Sequence, residues 1–287
     1  MLTKPFSSLA SWVKHFAEAP VPVLPATAVA IGELCEHERS CEADERRCEG
    51  AGVTASDLSG LILADPLMTV KLLAHVARQR SRRAQTGCET VTQALLMMGT
   101  THFFSSFGEQ PTVDKVLADW PAAVQGLDRV MHRSHRAARF ALAFAVHRKD
   151  PDAEVIHEAA LMHDFAEALL WCHAPGLALE IDLRKAADRT LRSADAQRAV
   201  LGIELAELEH ALLQQWRLPE LLVRITDDQA THDPQAMTVM LAIRLARHLQ
   251  RGREDPTLHE DHEAIAQLLR LTPAAVVARI DSLIEDD

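Results

Sequence analysis

A histidine followed directly by an aspartate, His163-Asp164, lies inside an otherwise apolar helical run, EAALMHDFAEALL over residues 158–170. Such a pair offers a nitrogen and an oxygen donor shielded from bulk water, which is what a divalent metal site needs. A buried carboxylate without a partner is expensive, so Asp164 must be paired, protonated or bound to a cation. The preceding segment, VMHRSHRAARFALAFAVH, places His135 on one face with Met131, Ala138 and Leu142, so it points inward. His135, His163 and Asp164 together offer three ligands on neighbouring helices. The competing reading is two core histidines satisfied by backbone carbonyls. His132, His147 and His173 read as surface or helix-end residues. Asp227 and Asp228, in RITDDQ, are further oxygen donors at a helix end, where an acidic pair is equally at home in solvent.

The elements that must position these residues have helical period almost throughout. Hydrophobic residues make up 48% of the chain, aromatics 4%, and tyrosine is absent, so Ala and Leu do most of the packing and helices are favoured over strands. ATAVAIGELCEH starts a helix after Pro25. SDLSGLILADPLMTVKLLAHVARQ holds two, because Pro66 cannot continue the first and Asp65 is suited to cap the second. Thr90 and Gln93 form a capping-box arrangement at the start of ETVTQALLMMG, which Gly99 is suited to end. Longer helices are expected over about 123–148, 153–172, 195–216, 219–229, 234–251 and 258–285, the last broken at Pro273. In the helix that carries the motif, Val155, Ile156, Ala159, Ala166 and Leu170 share a side with His163, while Leu161 and Phe165 make the far side apolar too. That helix is therefore central and buried. The expected architecture is all-α, with an N-terminal helical subdomain over 1–115 and a second helical subdomain over 116–287, linked through GEQPTVDKVLADWP.

Composition excludes several classes. A formal net charge of −11 argues against general affinity for nucleic acid or an anionic membrane, which rests on clustered Lys and Arg. The cluster Arg78, Arg80, Arg82 and Arg83 is a local exception. The N-terminus lacks the features of a signal peptide and no stretch approaches ~18 uninterrupted apolar residues, so a cytoplasmic protein is expected. Five cysteines in a chain this large are expected as reduced thiols. Cys35, Cys41 and Cys48, with His37 between them, lack the short spacing of a zinc motif.

In order along the chain, VPVLPATA, ILADPLMTVKLL, VTQALLMMG, RSHRAARFALAFA, EAALMHDFAEALL and LGIELAELEHALLQQWRLPELLVRI together resemble the HDOD domain over roughly residues 18–250. That family is a bacterial signalling module related to the HD and HD-GYP metal-dependent phosphohydrolases. The resemblance implies an N-terminal helical subdomain packed on a C-terminal HD-like one. It also implies metal-ligand positions at His135, His163 and Asp164. Other positions depart from the pattern. Leu205 stands where relatives carry a histidine, on an apolar stripe with Leu201, Leu208, Leu212 and Trp216. RITDDQ replaces a His-His pair, and Ile243 falls where active enzymes place a terminal aspartate. Phe165, Ala166 and Glu167 replace the Ile-Gly-Lys of HD-GYP enzymes, which inverts the charge beside a phosphate.

The expectation is therefore a non-enzymatic regulatory module with a degenerate HD-type metal site and no cofactor, acting through signalling proteins or a nucleotide or other small ligand. The alternative is a metal-dependent phosphohydrolase holding Mn, Fe or Mg through His135, His163 and Asp164 with Asp227 or Asp228. A third reading is redox or zinc sensing through Cys35, Cys41 and Cys48. The Arg78–Arg83 loop and the acidic stretch 42–49 are candidate partner surfaces by charge and exposure.

Overall fold

In the structure, a computed structural model, residues 1–43, 52–79, 88–188, 190–227, 229–230 and 232–285 are described. Asp228, Cys48, the side chain of Cys41, residues 44–49 of the acidic stretch, and Arg80, Arg82 and Arg83 lie outside them. The described residues are helical with no strand, as expected, and a single parallel bridge joins Val23 to Thr112. The chain divides into two compact units, residues 1–128 with 165–218 and residues 129–164 with 219–287. Residues 1–115 fall wholly in the first unit, while 116–287 contribute to both.

The first unit holds α1 (Leu9–Glu18), α2 (Pro25–Ala43), α3 (Ala55–Leu63), α4 (Pro66–Gln79), α5 (Val91–Met98), α6 (Thr100–Phe107), the short α7 (Val113–Val116) and the start of α8 (Pro121–Arg148). The break at Asp65-Pro66 is where the sequence predicts it. Asp65 Oδ1 accepts from the N–H groups of Leu67 (2.9 Å) and Met68 (3.1 Å), satisfying donors that the first turn of α4 cannot pair internally. Its Oδ2 accepts from Leu24 N–H (2.7 Å), so the same carboxylate fixes the entry to α2. Thr90 caps α5 through Gln93 N–H (3.2 Å), while the Gln93 side chain reaches one residue further back, to Glu89 N–H (2.9 Å). Gly99 ends α5 with φ 78°, a left-handed value that glycine adopts without a Cβ penalty.

The second unit contains the rest of α8 and α9 (Ala153–Met162). The first unit resumes with α10 (Phe165–His173), α11 (Pro175–Ala187), α12 (Ser193–Leu201) and α13 (Leu205–Gln215). The second closes with α14 (Glu220–Ile225), α15 (Pro234–Leu249), α16 (Leu258–Leu269) and α17 (Pro273–Glu285). The interruption at Pro273 is as expected, with Arg270 at φ 55° closing α16.

Two expected helices are split. The run 195–216 breaks because Gly202 takes a left-handed φ of 76°, and Glu204 then starts α13 in a reciprocal cap with Glu207. The run 153–172 breaks at His163 and Asp164 themselves. Apolar periodicity runs straight through that break because the helices on both sides are buried. The aspartate is a poor helix former, and side chains rather than backbone donors engage it. Three helices, α1, α6 and α11, were not anticipated. A serine cap at Ser8 starts α1, and Trp12 and Phe16 bury its inner face. Pro175 in the first turn starts α11.

Among the described residues no helix is long and apolar enough to cross a membrane. Cys35, Cys88 and Cys172 are thiols that form no disulfide. Burial pushes the Cys172 thiol up to about 12, with Asp65 adding to the shift, so it stays protonated. Cys35 is buried in α2 while His37 is exposed, so the two do not share a face.

Candidate functional site

Asp164 closes the turn after α9 in the second unit and is 6% exposed. Its Oδ2 lies 2.5 Å from Arg133 Nε of α8, and its Oδ1 lies 2.6 Å from Arg247 Nη2 of α15. Arg133 is itself buried, whereas the Arg247 side chain is 46% exposed. Arg133 Nη1 also donates to Gln250 Oε1 (3.3 Å), and Gln250 Nε2 donates to the Arg129 carbonyl (2.6 Å). One carboxylate thus receives two guanidiniums, one on each oxygen. Burial by itself would raise the Asp164 pKa. The charges of Arg133 and Arg247, with His163 adding to them, outweigh it and hold the group well below the usual carboxylate range.

His163 is buried, with Nδ1 3.6 Å from Asp164 Oδ1, longer than a hydrogen bond. His135 is half-buried, at the edge of the face expected to point inward. Met131 and Ala138 of that face are buried, but Leu142 is 38% exposed. Its electrostatic neighbour is His157 of α9, whose pKa is lowered first by burial and then by His135, with Glu154 opposing. Asp227 Oδ1 accepts from Gln229 N–H (2.9 Å), a local turn bond. Among the described residues no group of three or more His, Cys, Asp and Glu side chains is arranged to hold a metal ion. The donor set at Asp164 also fits a divalent cation poorly. An ion there would displace a guanidinium from the oxygen it occupies and sit close to the other, against full positive charge in a poorly solvated place.

Two of the positions that depart from the HD pattern, Leu205 and Ile243, are filled by packing. Leu205, Leu208, Leu212 and Trp216 are buried along one stripe, as their spacing predicts, and Phe165 packs on Trp216 with ring centroids 5.4 Å apart. Ile243 is buried on α15, one turn before Arg247.

The two arginines were not anticipated from the sequence. A signal for Arg133 existed: it shares the spacing of Val130, Ala137 and Phe140, all buried, and a cation on such a stripe demands a buried carboxylate. Arg247 gave no comparable signal, since it is an exposed residue near the end of α15, where a cation is at home in solvent.

The described residues form helices, with a buried His-Asp pair between two successive ones. The chain matches the HDOD domain over residues 21–232 and belongs to that family. Its fold is similar to that of the MmoQ response regulator from Methylococcus capsulatus str. Bath, at 19% identity and a TM-score of 0.63, covering 92% of this chain and 98% of that one. It is also similar to a virulence factor from Campylobacter jejuni subsp. jejuni, at 14% identity and a TM-score of 0.58, covering 97% and 99%. At these identities the likeness is one of fold. No curated protein matches the chain.

Proposed function

We propose that this chain is a non-enzymatic regulatory module of bacterial signal transduction, with a degenerate HD-type site, acting in the cytoplasm through protein partners or a small ligand such as a nucleotide. The observation that carries the proposal is the engagement of both Asp164 oxygens by arginine. Metal-assisted phosphoester hydrolysis needs a cation with an open position for water, and the Asp164 surroundings favour guanidinium over a divalent ion. Leu205 and Ile243 withdraw two further ligand positions, and Glu167 puts a negative charge where a phosphate would need a positive one. No cofactor, membrane or nucleic acid enters this reading, in keeping with the net charge of −11.

The alternative, a phosphohydrolase that holds Mn, Fe or Mg through His135, His163 and Asp164 with Asp227 or Asp228, would have to dismantle the arginine pairing first. The test is hydrolysis of cyclic di-GMP and of bis(p-nitrophenyl) phosphate with each of the three metals, for wild type and His163→Ala. Equal, background rates are expected. Metal-dependent turnover in wild type that disappears in His163→Ala would overturn the proposal.

A further inference from the structure

One end of α15 gathers charged groups from several segments of the second unit. Arg247 reaches Asp164 after α9, and Arg244 Nε and His248 Nδ1 each lie 2.5 Å from an oxygen of Asp261 on α16. Gln250, the residue that ends α15, links the Arg133 side chain to the Arg129 carbonyl on α8. Asp261 is 1% exposed and, like Asp164, faces basic side chains on both oxygens. Residues 244–250 therefore bond to α8, to the turn after α9 and to α16, around two carboxylates taken out of water.

A metal ion at the interior of a helical bundle does comparable work, drawing donors from facing helices onto one positive charge. At Asp164 that charge is supplied by the chain itself. We infer that Arg133 and Arg247 are a built-in substitute for a divalent cation, and that the cluster they form on Asp164 is a structural lock joining α8, the turn after α9 and α15. The lock rests on the reading of this site as one that has given up metal chemistry. Guanidinium is suited to the part because it is planar, always charged and weakly hydrated, so it can sit against a buried carboxylate where an ammonium would cost more. Asp164 then has a task that needs neither metal nor substrate: it is the anion on which two helices converge.

The full-length chain is compared by thermal denaturation, with and without millimolar MnCl2, as wild type, Arg133→Met/Arg247→Met, and the same double variant carrying Asp164→Asn. Loss of both guanidiniums leaves a buried charge unpaired, and the expected fall in Tm is roughly 10 °C or more. Asp164→Asn on that background, which removes the stranded charge, is expected to recover most of the loss, and wild-type Tm should not respond to Mn2+. Should the double variant not fold, Arg247→Met and Arg247→Lys provide the same comparison. The lock then requires methionine to lower Tm and lysine to lower it less. Unchanged Tm in Arg133→Met/Arg247→Met, or in Arg247→Met where that replaces it, would overturn the lock and leave the regulatory reading standing. Stoichiometric Mn2+ in wild type that is lost in His163→Ala would overturn both.

Discussion

The two units each bury an aspartate at the end of a helix, and they stabilise it by opposite means. In the first, Asp65 is fully buried and accepts from three backbone N–H groups, those of Leu24, Leu67 and Met68, with the Thr27 hydroxyl as a further donor. In the second, Asp164 takes two guanidiniums. Burial raises the Asp65 pKa, and the neutral donors only partly offset it. Full charges drive Asp164 the other way. Dipoles are thus enough to satisfy a carboxylate's hydrogen bonds, whereas formal charges are needed to overcome its desolvation. Asp65 works as a cap that specifies where α4 begins, and Asp164 works as a counter-ion.

The comparison breaks first at Asp164. Asp164→Ala strands Arg133 in the interior, and urea denaturation should show a loss of about 3–5 kcal/mol. Asp164→Asn keeps the shape but not the charge, and should cost nearly as much. At Asp65 the ranking separates: Asp65→Ala leaves three N–H groups without their acceptor and should cost about 2–3 kcal/mol, while Asp65→Asn keeps an acceptor for the first turn of α4 and should cost about 1 kcal/mol. Equal losses for the two asparagine variants would remove the distinction between cap and counter-ion.

Acid denaturation sharpens the same contrast, because the two shifts have opposite signs. Between the ordinary aspartate value of 3.8 and the lower folded value of Asp164, the unfolded chain binds the proton and the folded chain does not. The Asp164 contribution is therefore complete above that ordinary value and is lost as pH falls towards the folded one. Asp65 behaves in reverse. Its folded pKa is raised, so the folded chain takes up the proton first, and this group adds stability as pH falls through the folded value towards 3.8. Urea midpoints measured from pH 6 to pH 3 should fall less steeply for Asp164→Asn than for wild type, and more steeply for Asp65→Asn. Parallel profiles would mean that neither shift is present.

Much of the first aspartate was legible in the sequence and much of the second was not. Asp65-Pro66 is a local signal: a proline that cannot continue a helix, after a residue whose short side chain caps the next one. Thr90, Gly99 and Pro273 are of the same kind, and the structure places helix ends at each. His163 and Asp164 were identifiable as buried because the residues around them are apolar in every direction. The same apolarity hid the helix break at that pair, since periodicity reports burial and not hydrogen-bond continuity. Partners are a long-range property. Arg133 and Arg247 lie 31 and 83 residues from Asp164, and contacts over such separations leave no periodicity to count.

The smallest expected effect concerns Lys71, a cation that feels the charge of Asp65. Lys71 Nζ donates to the Val21 carbonyl (2.6 Å) and to Gln110 Oε1, tying the segments on either side of the Val23–Thr112 bridge. The charge of Asp65 opposes but does not cancel the effect of burial on Lys71. Burial moves the lysine down to about 8 from 10.5. Between those values the unfolded chain holds a proton that the folded chain has released, so this group makes stability rise as pH increases from about 8 to 10.5. Lys71→Met removes two hydrogen bonds at a half-buried position and should cost about 1 kcal/mol at neutral pH. The difference in urea midpoint between wild type and Lys71→Met should then widen as pH is raised across that interval. A difference that stays constant would place Lys71 at its ordinary pKa and make it a surface tether. A widening one would show that burial outweighs the Asp65 charge at Lys71, so that the first unit, unlike the second, loses stability as pH falls from 10.5 to about 8.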